Sequence, residues 1–227
     1  MDSNFINNKR ISVFVGHYGS GKTNIALNYA MYLNKNSKVA VADLDIVNPY
    51  FRTQDCAEFL KEQGIRLISS EFAGSNVDLP ALPPDTYSVF SDKTIKAVLD
   101  VGGDDRGALA LGRYVPLLAE EDDYNVYFVI NKFRPLTKTP ELTLEVLSEV
   151  QQAAGIKVTA LVNNSNIGTE TTREDIERSM DYAEAVSKLS GLPIAFTAVR
   201  EDLADSVKIK DIMPIKLYVK QSWQEEV

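Results

Sequence analysis

The sequence predicts an α/β fold of three layers, in which a mostly parallel sheet of about seven strands lies between helices. Three observations predict it. Short runs rich in Val, Ile and Leu alternate with helix-like runs along the whole chain, as crossovers between parallel strands require. Those apolar runs are blocky and lack strict alternation, which indicates strands buried on both faces. The 227 residues, 44% of them hydrophobic, suit a single domain over residues 1–227.

The candidate elements follow one another in chain order. We expect strands at Ile11–Val15, Lys38–Ala42, Ile65–Ser69, Ile95–Val101, Asn125–Ile130, Lys157–Val162 and Ile194–Val199. We expect helices at Lys22–Asn34, Gln54–Gln63, Arg106–Ala119, Pro140–Ala154 and Thr172–Ser190. Gly155 and Gly191 follow two of these helices, where a left-handed residue is expected.

Two further segments of the chain do not follow the pattern of buried strands and helices. Near the C-terminus, Ile215, Leu217 and Val219 alternate with polar residues, which predicts a half-exposed edge strand. The segment Glu71–Lys93 contains a glycine and several prolines and has little periodicity. Loops longer than about 15 residues in a compact domain are usually functional. We therefore expect Glu71–Lys93 to be a lid or a binding loop.

The first apolar run leads into a glycine-rich segment with a specific chemistry. Its residues, Gly16-His17-Tyr18-Gly19-Ser20-Gly21-Lys22-Thr23, fit the phosphate-loop pattern G-x-x-x-x-G-K-[ST]. Glycines let the backbone curl so that N–H groups point at phosphate oxygens, and the helix that follows adds its positive end. Lys22 would reach the β- and γ-phosphates, the Thr23 hydroxyl would bind Mg²⁺, and the expected nucleotide contacts extend to Asn24. The sequence therefore predicts a P-loop NTPase fold.

Three acidic residues are expected at the same edge of the sheet. Asp43 and Asp45 leave the end of the second strand, where ligands bind in open α/β sheets. One of these carboxylates can reach the metal and the other a water molecule. Asp100 ends a later apolar run and precedes Gly102-Gly103. This position looks like that of a Walker B aspartate, which holds Mg²⁺ through water.

In this order, the three motifs resemble those of the ParA/MinD-type deviant Walker ATPases, within the SIMIBI class of P-loop proteins. The resemblance covers roughly Ile11 to Asp202. It implies that Asp43 lies near Mg²⁺ and that Asp45 orients the attacking water, with Lys22 as the second catalytic residue. It also implies an ATP-dependent homodimer. The residues that it places against the base are Asn163, Arg200 and Asp202.

The chain departs from that family at one position. The family has a signature lysine after the first glycine of the loop, whereas His17 stands there in this chain. Histidine is shorter and only partly charged at neutral pH, so it supplies less charge to the transition state. Slow hydrolysis is expected.

The choice of base is predicted from another motif. Asn131-Lys132-Phe133-Arg134 begins like the guanine motif N-K-x-D, but Arg134 replaces the aspartate that would accept hydrogen bonds from guanine. ATP is therefore preferred over GTP.

Composition excludes several classes of partner. The formal charge of −8, with no long basic run, disfavours direct binding of nucleic acid. A single cysteine, Cys56, excludes an internal disulfide and fits a reducing cytoplasm. The N-terminus is polar and the chain has no stretch of 18 apolar residues, so neither a signal peptide nor a membrane anchor is expected.

The function predicted from these observations is that of a cytoplasmic Mg·ATP-binding protein, either a slow ATPase or a nucleotide-dependent switch. Two alternatives stay open. One is a phosphotransferase or ATP-dependent ligase resembling dethiobiotin synthetase, in which Glu71–Lys93 binds a small-molecule substrate. The other is an adaptor that binds ATP and an unidentified protein partner without hydrolysing the nucleotide.

Overall fold

The structure, a computed structural model, describes residues 9–45, 56–69 and 84–218. Within these ranges it confirms the α/β class, because eight strands form one sheet in which every neighbouring pair is parallel. The strands are β1 Ile11–Val15, β2 Val39–Leu44, β3 Arg66–Ile68, β4 Lys96–Val101, β5 Tyr124–Ile130, β6 Ala160–Asn163, β7 Ile194–Arg200 and β8 Ile212–Ile215. Their order across the sheet is β3-β2-β4-β1-β5-β6-β7-β8.

Seven α-helices lie in the described ranges. They are α1 Lys22–Asn34, α2 Ala57–Glu62, α3 Ser88–Ser91, α4 Asp105–Gly112, α5 Val115–Glu121, α6 Pro140–Ala154 and α7 Arg173–Ser190. Gly155 and Gly191 end α6 and α7 in the left-handed conformation, as predicted, with φ of 66° and 72°. None of the helices in this part of the chain is long and apolar enough to span a membrane.

The buried residues form one cluster on each face of the sheet. In β1, Val13 belongs to one cluster and its neighbour Phe14 to the other. The cluster around Phe14 joins the sheet to α1 and α2, and the cluster around Val13 joins it to α4, α5, α6 and α7. This confirms the three predicted layers. Because β1 lies between β4 and β5, the loop after β1 emerges between the ends of those two strands.

The prediction of one helix over Arg106–Ala119 is wrong, because the segment forms two helices, α4 and α5. Pro116 is the second residue of α5. Its ring would clash with the carbonyl of Gly112, four residues earlier, and proline has no N–H to donate. The first helix therefore ends at Gly112, and proline is tolerated in the first turn of the next.

The predicted C-terminal strand is displaced. The edge strand β8 ends at Ile215, before most of the alternating segment. The backbone beyond it bonds to side chains of α1: Lys216 N and O pair with the Asn28 amide at 2.8 Å each. Val219 lies outside the described residues.

The predicted loop Glu71–Lys93 is partly helical. A 3₁₀ turn at Pro84–Tyr87 leads directly into α3. Phe90 of α3 stacks on the buried ring of Tyr114, with the ring centroids 5.6 Å apart, so that packing orders this end of the segment. The part before Pro84 lies outside the described residues.

Candidate functional site

The phosphate loop connects the end of β1 to the start of α1. Gly21 precedes α1 in the left-handed conformation, with φ of 89°. A Cβ atom at Gly21 would lie 2.2 Å from Asn164 Nδ2, so only glycine fits this position. Within the loop, the Ser20 N–H donates to the His17 carbonyl at 3.1 Å and closes a tight turn. The predicted loop residues therefore come together in a compact turn at the helix N-terminus.

Lys22 is the first residue of α1 and is only 6% exposed. Its ammonium donates to the His17 carbonyl at 3.1 Å. Burial lowers the pKa of Lys22, and the carboxylates of Asp100, Asp45 and Asp104 act in the opposite direction. The predicted cation thus lies at the base of the loop, where three carboxylates act on its charge.

The carboxylates come from the ends of two neighbouring strands. Asp43 in β2 and Asp100 in β4 are register partners in the parallel sheet, and both are buried. Asp43 Oδ1 accepts a hydrogen bond from the Asp45 backbone at 3.0 Å, which fixes the chain as it leaves β2. Thr23 lies half-buried in the first turn of α1. These four side chains offer only oxygen atoms, which Mg²⁺ prefers as ligands.

The structure brings the segment after Asp100 against the phosphate loop. A Cβ atom at Gly103 would lie 2.6 Å from both Lys22 Nζ and Tyr18 N, so only glycine permits this approach. A Cβ atom at Gly102 would lie 3.1 Å from Asp45 Oδ1. The three predicted motifs therefore meet at one place.

The two residues after Gly16 lie at the surface of the site. His17 is half-buried, and its Nδ1 lies 2.8 Å from the carbonyl of Tyr18. The Tyr18 side chain is 51% exposed, which is unusual for a large aromatic residue. His17 therefore lines the loop, while Tyr18 faces solvent.

The predicted base contact Asn163 is fully buried, and both ends of its amide have partners inside the protein. Its Nδ2 donates to Ser179 Oγ at 2.9 Å, and its Oδ1 accepts from Ser165 Oγ at 2.7 Å. The next residue, Asn164, reaches the loop instead and donates to the Ser20 carbonyl at 2.7 Å.

Three other predicted contacts bond to the protein itself. Arg200 and Asp202 form a two-pronged ion pair, with N···O distances of 2.5 and 2.8 Å, that lowers the pKa of the Asp202 carboxyl. Arg200 also donates to the carbonyls of Gly168 and Thr169. Asn24 Oδ1 accepts from the Tyr218 backbone at 2.9 Å. Their contacts to nucleotide stay predictions.

Sequence reasoning missed a second residue that touches the loop. Arg134 Nε donates to the Gly19 carbonyl at 2.7 Å. The sequence drew attention to Arg134 only as the residue that breaks the guanine motif. The contact joins residues 115 positions apart, so no local sequence pattern predicts it.

No protein-family model and no curated protein matches the sequence. Solved structures match it in fold. FtsY from Thermotoga maritima matches with a TM-score of 0.60 and 18% identity over 95% of this chain and 70% of its own. Chloroplast FtsY from Physcomitrella patens matches with a TM-score of 0.58 and 17% identity, over 83% of this chain and 58% of its own.

A third match is the signal recognition particle 54 kDa protein of Aeropyrum pernix in complex with GDP. Its TM-score is 0.52 at 15% identity, and the match covers 85% of this chain and 42% of the other. The chain thus spans between 42% and 70% of the length of these three proteins. Sequence identities this low show only that the fold is similar, and they do not show that the chain belongs to the ParA/MinD family. What the three matches show is the fold, a parallel α/β sheet flanked by helices as in P-loop NTPases.

Proposed function

We propose that this chain is a Mg·ATP-binding switch of the ParA/MinD-like type that hydrolyses ATP slowly. The contact between Gly103, Lys22 and the backbone of Tyr18 carries the proposal. A γ-phosphate bound to Lys22 would lie against the Gly103 backbone and would have to move it or bond to it. Such a contact converts the presence of the γ-phosphate into a change of conformation.

The site also supplies the charge that a triphosphate requires. Lys22 is a buried cation at a helix N-terminus, where backbone N–H groups add to its field. A buried ammonium costs free energy unless it has a partner, and perturbed buried charges are concentrated at functional sites. Lys22 donates to the His17 carbonyl in this structure, and its ammonium, which has three N–H donors, can also donate to the phosphates of ATP.

Mg²⁺ would bind beside these phosphates. Thr23, Asp43 and Asp100 offer hard oxygen ligands for it. The described residues contain no group of three His, Cys, Asp or Glu residues that could hold a metal ion by themselves. That suits Mg²⁺, which keeps several waters and uses phosphate oxygens as ligands. When bound, Mg²⁺ neutralises charge on the β- and γ-phosphates.

Hydrolysis would use Asp45. The bond from the Asp45 backbone to Asp43 holds this residue, and Asp45 Oδ1 lies close to Gly102. From there the carboxylate would accept a hydrogen bond from the attacking water and orient it towards the γ-phosphorus, with ADP as the leaving group. His17 in place of lysine supplies less charge to the transition state, which is why we propose slow turnover.

The contacts of Arg134 support a preference for ATP. Guanine recognition needs an acceptor for N1 and N2, but Arg134 stands at that position of the motif and donates to Gly19. The segment 164–169, which follows β6, contains no carboxylate, and the Asp202 carboxylate after β7 accepts hydrogen bonds from Arg200. The GDP complex of the Aeropyrum protein therefore does not decide the base for this chain.

A second copy of the chain is the proposed partner in the ATP state. Tyr18 and Leu136 are both 51% exposed. Tyr18 precedes Gly19 in the chain and Leu136 follows Arg134 by two residues, so both lie near the contact between Arg134 and Gly19. Large apolar side chains exposed at a binding site often mark a surface that a protein partner covers.

Calorimetric titration with Mg·ATP and Mg·GTP tests the proposal. We expect ATP to bind more tightly than GTP, and Lys22→Ala to weaken ATP binding by about 100-fold, because the phosphates lose their buried cation. Lys138→Ala removes an exposed lysine of equal charge and serves as the control. A folded Lys22→Ala variant with unchanged affinity, or a wild type that prefers GTP, would contradict the proposal.

A further inference from the structure

Arg134 is placed to act on the phosphate loop from outside. It follows β5 at the end of a turn that its backbone closes by donating to the Asn131 carbonyl at 3.1 Å. Its Nε donates to the Gly19 carbonyl at 2.7 Å. The side chain also covers Gly19, since a Cβ atom there would lie 3.5 Å from Nε and 3.8 Å from Cζ. Arg134 therefore contacts the loop through both a hydrogen bond and packing.

The geometry of the peptide bond explains what this contact does. The C=O and N–H of one peptide unit point in opposite directions. By holding the Gly19 carbonyl, Arg134 fixes the N–H of Ser20, which donates to His17 and closes the turn. In the next peptide unit, Asn164 holds the Ser20 carbonyl and so fixes the N–H of Gly21. Two successive peptide units of the loop are thus oriented from outside.

The two holding residues are joined to each other. Asn166 Nδ2 donates to Asn164 Oδ1 at 2.8 Å, and Asn131 Nδ2 donates to the Asn166 carbonyl at 3.0 Å. Asn131 belongs to the turn that ends at Arg134. The ends of β5 and β6 therefore form one hydrogen-bonded frame around the loop.

We infer that Arg134 is a positioning residue that holds the phosphate loop in its anion-binding conformation, and that it acts through its hydrogen bond and not through its charge. The identity of the anion as ATP phosphate rests on the proposed function above. A loop that is held in place before binding loses less conformational entropy when the phosphates arrive. The affinity for phosphate is therefore set partly by a residue that need not touch it.

Two substitutions separate the hydrogen bond from the charge. In Arg134→Gln the amide nitrogen stands as many bonds from Cα as the arginine Nε, so the donor stays while the charge is lost. Arg134→Met has a similar length and no donor. Lys138→Met removes the charge of an exposed neighbour as a control.

The first readout needs no nucleotide. In the ligand-free protein, amide hydrogen exchange at Ser20 should be about tenfold faster in Arg134→Met than in wild type. Arg134→Gln should restore most of the protection. The second readout is calorimetric titration with Mg·ATP, where Arg134→Met should weaken binding about tenfold and Arg134→Gln about threefold or less.

The outcomes distinguish the inference from the proposed function. Equal losses of affinity in both variants, with unchanged exchange at Ser20, would mean that the guanidinium charge acts on the ligand and would overturn the inference. Unchanged exchange and affinity in Arg134→Met would also overturn it. If exchange at Ser20 is faster in Arg134→Met but the wild-type protein binds no ATP, the positioning role is supported and ATP is refuted as the ligand. Circular dichroism establishes that each variant is folded.

Discussion

Lys22 and Asp45 share one electrostatic environment, yet the proposed mechanism gives them different tasks. Lys22 binds phosphate in the ground state and in the transition state. Asp45 contributes to the field around Lys22, but its proposed partner is a water molecule. Substitutions at the two positions should therefore affect binding and turnover differently.

Asp45→Asn should leave the affinity for Mg·ATP within a few-fold of wild type and lower the turnover number by about 100-fold or more. Asparagine keeps the size of the side chain and loses the charge that orients water. Calorimetry and single-turnover phosphate release measure the two quantities, and Asp205→Asn, at an exposed position, is the matched control. If affinity collapses while the turnover of bound ATP stays normal, Asp45 belongs to the metal site instead.

Two residues show where sequence reasoning stops at this scale. Asn163 and Asn164 are identical in type and adjacent, so the sequence alone does not say which one reaches the loop. The register between β6 and β7 shifts at Leu161/Val162, and such irregularities change where the following side chains point. The hydrogen bond from Arg134 to the loop joins residues 115 positions apart, so no local sequence pattern predicts it.

At the scale of elements, local signals explain most of the correct predictions. The helix α6 has the predicted bounds because an apolar period lies between the Thr139 cap and the left-handed Gly155. The helix α1 also has the predicted bounds, since the phosphate loop fixes its start after Gly21. The end of β8 was not predictable, since it depends on hydrogen bonds between the Asn28 side chain of α1 and the backbone of Lys216. Helix side chains that bond to a distant backbone leave no periodic pattern in the sequence.

One ion-pair network connects elements at the edge of the sheet opposite the site. The Glu121 carboxylate, at the end of α5, accepts from Arg10 before β1 and from Lys93 before β4. The hydrogen bond from Arg10, followed by that from Lys93, lowers the pKa of Glu121 from 4.5 to about 2. Because the folded-state pKa is depressed, this contribution to stability is present above pH 4.5 and is lost as the pH falls towards 2.

Glu121→Gln should therefore lower the free energy of unfolding by about 1 to 2 kcal/mol at pH 7, allowing for solvent screening of the exposed Lys93. At pH 3 the difference from wild type should be much smaller, because wild-type Glu121 has by then lost most of its advantage. Urea unfolding at both pH values measures this, with the exposed neighbour Glu120→Gln as control. An equal loss at both pH values would show that charge is not the cause.

At the scale of the whole molecule, the strand order explains why the motifs meet. The phosphate loop follows β1, Asp43 lies in β2 and Asp100 in β4, and these strands are neighbours in the order β2-β4-β1. Parallel strands expose their carboxyl ends at one edge, so motifs far apart in sequence converge there. The phosphate-loop side of the site was predictable for this reason. The predicted base contacts lie in or after β6 and β7, where the strand order does not fix the conformation of the loops, and they stay predictions.

The central claim is that the loop 16–23 binds the phosphates of ATP, and a crystal structure with Mg²⁺ and a non-hydrolysable ATP analogue tests it most directly. We predict phosphate oxygens within hydrogen-bonding distance of Lys22 Nζ and the Gly21 N–H, with the γ-phosphate against Gly103 and the metal beside Thr23. An analogue bound elsewhere, with Lys22 still donating to the His17 carbonyl, would contradict the claim.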